Sequence, residues 1–141
     1  VDAGDLAAIE EIKQLKARYF RLMDTKRWDE WADVFTADLN AWVEDVPDVT
    51  HTSRDEFVSG VSSILADAVT THHGHMPEID ITGPDTARGV WAMFDYVKFT
   101  DPDRTLELKG YGHYHEEYRK EPDGRWRICS MRLHRLRVDY G

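Results

Sequence analysis

The stretch TLELKGYGHYHEEYRKEPDGRWRICSMRLHRLRV, residues 105–138, decides the fold. Asp123-Gly124 near its middle is a hairpin-turn dipeptide. The flanking segments alternate apolar and polar residues, so 105–119 and 125–138 read as two long antiparallel strands. Upstream, residues 86–99 hold Val90, Trp91, Met93, Phe94, Tyr96, Val97 and Phe99, a third strand, and Asp101-Pro102-Asp103-Arg104 reads as the turn that follows it. Residues 71–82 carry Ile79 and Ile81 in alternation and end at Gly83-Pro84-Asp85. Such an antiparallel meander must bury its apolar side against something.

The first half of the chain supplies the cover. Ile9, Ile12, Leu15, Tyr19, Leu22 and Met23 form one stripe of an amphipathic helix over residues 5–26. Trp28, Trp31 and Phe35 follow at spacings that predict a second, short helix packed on the sheet. Leu39 to Val43 reads as a short strand and 44–52, with Pro47, as a loop. Ser53-Arg54-Asp55-Glu56 has the capping-box pattern and precedes Phe57, Val58, Val61, Ile64 and Leu65 at helical spacing. Helices first and strands afterwards predict a single α+β domain over 1–141. A sheet curled around helices makes a cone, and pockets form in such mouths.

Composition excludes several classes. Lys plus Arg number 18 against 27 Asp plus Glu, a net charge of −9 that argues against duplex nucleic acid. No apolar run approaches the ~20 residues of a membrane span. Cys129 is the single cysteine, so no internal disulfide forms, and a cytoplasmic location is expected. The phosphate-binding glycine patterns and the G-x-S-x-G elbow do not occur. Two His-x-His pairs, His73/His75 and His113/His115 with Glu116, raise a His-ligated metal enzyme as one alternative.

The ordered set of motifs resembles the SnoaL-like branch of the nuclear transport factor 2-like superfamily. It consists of Tyr19, Asp24, Trp28, Trp31 and Phe35, then Thr71-His72-His73 with Ile79-Asp80-Ile81, then Lys109 to Tyr114 and Asp123 to Ile128. The resemblance covers nearly the whole chain. It implies a strongly bent antiparallel sheet wrapped on about three helices. Relatives include scytalone dehydratase, bile acid dehydratase, hexachlorocyclohexane dehydrochlorinase, polyketide cyclases and ketosteroid isomerase. Such proteins mostly move protons on hydrophobic rings, so the resemblance implies a lyase or isomerase that uses no cofactor or metal. Its partner would be a hydrophobic small molecule, and it would form a homodimer or higher homo-oligomer. The superfamily also holds non-catalytic members, so a binding or assembly module is the other alternative.

By this resemblance Asp24 and His72 match an Asp–His pair, orienter and base, and Tyr19 matches a pocket position. A second histidine of scytalone dehydratase would fall near Tyr96-Val97, and an asparagine found in relatives is Met76 here. Helical geometry places Asp24 about 120° from the middle of the apolar stripe, so only a turn at the helix end would bring it inward. His73 rivals His72, because neighbouring strand residues face opposite sides; the seven-residue spacing to Ile79 favours His72. Arg132 shares strand parity with Trp126 and Ile128 and is the candidate inward cation, for a carboxylate or a developing oxyanion. Trp42, Trp91, Met93, Phe94 and Tyr111 are candidate pocket walls for a flat ring, or plain core.

Overall fold

The computed structural model describes residues 1–44, 50–100 and 106–141. Its elements run α1 (Ala3–Asp24), α2 (Trp28–Ala32), β1 (Phe35–Val43), β2 (Thr50–His51), α3 (Arg54–Leu65), β3 (Ala68–Gly83), β4 (Thr86–Phe99), β5 (Glu107–Lys120) and β6 (Trp126–Tyr140). The fold is α+β, with the helices on the inner side of one six-stranded sheet of order β2-β1-β6-β5-β4-β3. Strands β3 to β6 form the antiparallel meander; β1 joins the far edge parallel to β6.

Local chemistry sets the boundaries. Asp2 and Asp5 form a reciprocal capping box at the start of α1. Ser53 Oγ accepts from the Glu56 amide at 3.2 Å and starts α3. Gly124, at φ 82°, makes the β5–β6 turn. The predicted second helix ends at Ala32, and Phe35 opens β1 instead; the Arg127 guanidinium fixes that junction by donating to the Asp33 carbonyl at 3.0 Å. Pro47 and the Asp101–Arg104 turn lie outside the described residues.

The narrow half of the cone is solid. Trp31, Phe35, Phe57, Ile12, Leu15 and Ile128 pack there with almost no exposure. Lys16 is buried among them, and its ammonium meets Glu116 Oε2 at 2.7 Å, both side chains at 0% exposure. Glu116 Oε1 accepts from the Tyr118 hydroxyl at 2.7 Å, which accepts from Trp91 Nε1 at 2.8 Å. The ammonium also sits 3.6 Å from the centroids of both Tyr19 and Tyr114. Burial holds the Lys16 pKa down to about 8, against the opposing pull of the Glu116 charge and hydrogen bond.

Two outcomes follow for urea unfolding. Lys16→Met alone strands a buried carboxylate and should cost about 3–5 kcal/mol, whereas Lys16→Met with Glu116→Gln should recover most of that loss. Between about 8 and the ordinary 10.5, the unfolded chain binds the Lys16 proton more than the native chain does. This group's contribution to stability is therefore full above that window and is lost as pH falls through about 8. The stability of wild type relative to the double variant should climb from about pH 8 upward, by at most about 1.4 kcal/mol per pH unit. A flat difference would remove this account of the pair.

Candidate functional site

Above the packed half, the inner faces of the strands and α3 diverge and enclose a cavity of about 280 Å³. Its walls are apolar: Phe57, Val61 and Leu65 from α3, Val97 and Phe99 from β4, Met131 and Leu133 from β6. Its polar groups are Tyr19, His72, Asp95, Tyr114, Arg135 and the largely exposed Tyr140.

Asp24 is the last residue of α1, and the chain turns there through Thr25 and Lys26, the latter at φ 59°. That turn aims the Asp24 carboxylate at β3, an edge strand. Oδ2 accepts from the His72 amide at 2.8 Å, and Oδ1 accepts from Thr70 Oγ1 at 2.9 Å. His72 Nδ1 lies 2.7 Å from Oδ1. A carboxylate only accepts, so Nδ1 carries the hydrogen and Nε2 is left as the basic nitrogen. His73 points to the other face, where its ring lies 5.8 Å from Phe94.

Under strict alternation the seven-residue spacing to Ile79 would favour His73, so it does not select His72; His72 and Ile79 share the inner side only because the register slips between His75 and Glu78. Met76 marks the slip, at φ 50° and 83% exposure.

Directly across from His72 in the ladder stands Asp95. Its Oδ2 is 3.9 Å from His72 Nε2, and its Oδ1 is 3.6 Å from Arg135 Nη1. Neither Oδ1 nor Nη1 has a hydrogen-bond partner among the described residues. The two meet over Gly110, where a Cβ would come within 2.2 Å of each. The Tyr19 and Tyr114 hydroxyls bond to each other, and burial raises both pKa values far above the usual phenol range. Both therefore stay protonated and able to donate.

Arg132 does not face the cavity. The β5–β6 register slips around Cys129, where Tyr118 pairs with Ile128 but Glu117 with Ser130. Inward parity thus passes from Trp126 and Ile128 to Met131, Leu133 and Arg135. Arg132 lies instead in a polar groove on the outer face with Glu78, His115 and Glu117. None of the five candidate walls lines the cavity. Trp91 and Met93 point inward but lie deeper, in the packed half. Trp42, Phe94 and Tyr111 are on the outer face, where Trp42 packs against His134 at 5.1 Å and Phe94 against Tyr111 at 5.4 Å. The Glu116 carboxylate is taken by Lys16 in the core, and no group of three or more His, Cys, Asp or Glu among the described residues is placed to hold a metal.

Asp95, Arg135 and Tyr114 were not among the site residues expected from the sequence. Asp95 had a signal: it is the one acid on the inward parity Ala87, Gly89, Trp91, Met93, Asp95, Val97, Phe99.

Residues 4–132 match the SnoaL-like domain. The chain is 23% identical over 134 residues to "Probable cyclase FGR4" of Gibberella zeae, covering 89% of each. In three dimensions it resembles the "Putative Scytalone Dehydratase" of Novosphingobium aromaticivorans (TM-score 0.83, 21% identity, 96% of this chain and 88% of that one). It also resembles the hexachlorocyclohexane dehydrochlorinase LinA-type3 of Novosphingobium barchaimii LL02 (TM-score 0.84, 15% identity, 100% and 94%). With the match spanning most of its length, the chain belongs to the SnoaL-like family, within the nuclear transport factor 2-like superfamily.

Proposed function

We propose that this protein is a cofactor-independent lyase or isomerase, of the dehydratase type, that acts on a hydrophobic cyclic molecule such as a steroid, polyketide or terpenoid derivative. The observation that carries the reading is the 2.7 Å contact between Asp24 and His72 beside an apolar-walled cavity. His72 Nε2 is the base. It takes a proton from a ring carbon next to a carbonyl, and Asp24 holds the tautomer and stabilises the imidazolium that forms. Tyr19, backed by Tyr114, donates to the oxygen on which charge develops.

In a dehydration the released C–H electron pair forms the new double bond. The C–O bond breaks onto oxygen, and the hydroxyl leaves as water with the proton held on Nε2. In an isomerisation the same proton returns to another carbon. The cyclase and dehydratase names among the relatives support this class of chemistry. An inward Asp24 and an open cavity favour it over a scaffold without catalysis.

Two further parts of the proposal concern setting. No helix of the described residues is long and apolar enough to cross a membrane. A cytoplasmic location rests on the single cysteine, and recovery of the native protein in a membrane or secreted fraction would overturn it. A homodimer through the outer sheet face is supported by the aromatic side chains Trp42, Phe94 and Tyr111 there, and light scattering on the purified protein reads it directly.

A screen of steroid and polyketide alcohols should find turnover. His72→Ala should lower kcat by about 10²- to 10⁴-fold. Asp24→Asn should cost a comparable factor through the wrong tautomer, and Tyr19→Phe about 10²-fold. Equal turnover in wild type, His72→Ala and Asp24→Asn would remove the roles given to these residues.

A further inference from the structure

Asp95 is nearly buried, with 4% of its side chain exposed, yet it is not spent on the fold in the way Glu116 is. Each of its oxygens faces a different group. Oδ2 looks across 3.9 Å to His72 Nε2, too far for a hydrogen bond between them. That gap fits one interposed oxygen within hydrogen-bond reach of both atoms. Oδ1 lies against the Arg135 guanidinium at 3.6 Å, and Gly110 leaves the room for that approach.

The charges around the cavity then add up simply. Asp24 and Asp95 stand against Arg135. Glu44 Oε2 accepts from the Arg135 backbone amide at 2.5 Å, a further carboxylate close to that residue's main chain. Lys16 and Glu116 cancel each other deeper in the core. The carboxylates thus outnumber the arginine, and the atom that faces His72 Nε2, Asp95 Oδ2, is an acceptor.

We infer that Asp95 anchors a ligand hydroxyl beside His72 Nε2 and, by neutralising Arg135, turns carboxylates away, so the cavity takes uncharged, hydroxylated rings. The inference rests on the proposed function for its setting and deepens it by naming the ligand's chemistry. The hydroxyl donates to Asp95 Oδ2, and its oxygen lies where Nε2 can deliver a proton. The leaving group of a dehydration occupies this position. Arg135 acts as the counter-ion of Asp95 rather than as an anchor for a substrate carboxylate.

Binding alone tests this, with three two-ring probes titrated calorimetrically at about pH 7, where 2-naphthol is neutral and 2-naphthoate is not. Wild type should bind 2-naphthol about 10-fold or more tightly than 2-methoxynaphthalene, which lacks the donor, and than 2-naphthoate. Asp95→Asn, which leaves Arg135 uncompensated, should tighten 2-naphthoate by about 10-fold or more and bring the naphthol and its ether close together. If Asp95→Asn does not give a native circular-dichroism spectrum, the wild-type order decides. Failure of 2-naphthol to bind, equal or tighter binding of 2-naphthoate by wild type, or an unchanged order in folded Asp95→Asn overturns the inference. The order is read without turnover, so it stands in a protein that catalyses nothing. Conversely, turnover that depends on His72 but comes with the opposite order removes only the role of Asp95.

Discussion

The fold and the site share one constraint: the Asp24 carboxylate ties the end of α1 to the edge strand β3. An edge strand presents unpaired amides, which ordinarily need water or a covering group. Here one of those amides, at His72, is satisfied by a side chain from the helix end. The same carboxylate takes the Thr70 hydroxyl and the imidazole. With three donors converging, the orientation of His72 is set by backbone as well as side chain. Helix length, the turn after Asp24 and strand position must therefore agree for the imidazole to point inward.

The sheet divides its inner face between two tasks. Along β4, Ala87 and Met93 help fill the packed half, whereas Asp95, Val97 and Phe99 line the cavity. The buried Lys16–Glu116 pair stands at the boundary, beneath the two tyrosine rings whose hydroxyls face the cavity. Ion pairs of this kind rarely add net stability over apolar packing. Its position suits a role in holding the Tyr19 and Tyr114 rings, because a cation between two aromatic faces restrains both.

Much of this was legible beforehand, and the failures share a cause. The helix over Ala3–Asp24, the cap at Ser53, the strand over Thr86–Phe99 and the turn at Gly124 follow from local chemistry and appear where the sequence places them. The pairing of Asp24 with His72 came from family resemblance; helical periodicity alone pointed Asp24 away. What periodicity could not supply was parity across irregular strands. One-residue slips in β3 and β6 leave no distinct mark in a run of alternating residues, so Arg132 was taken for the inward cation in place of Arg135. The β3 slip, together with a further one near the β3–β4 turn, hid the facing of His72 and Asp95. The division between packed half and cavity was also invisible, since Trp91 and Val97 look alike as apolar strand residues.

The slip at Met76 carries weight out of proportion to its size. That methionine projects into solvent and touches neither the core nor the cavity, yet it sets the phase of everything before it in β3. With Ile79 and Ile81 pinned by the core, a strand that kept every residue but lost the bulge would present His73, not His72, to the interior, whereas excising the extra residue would leave His72 in phase. Which histidine faces the cavity is thus decided by a kink in the backbone outside the cavity itself.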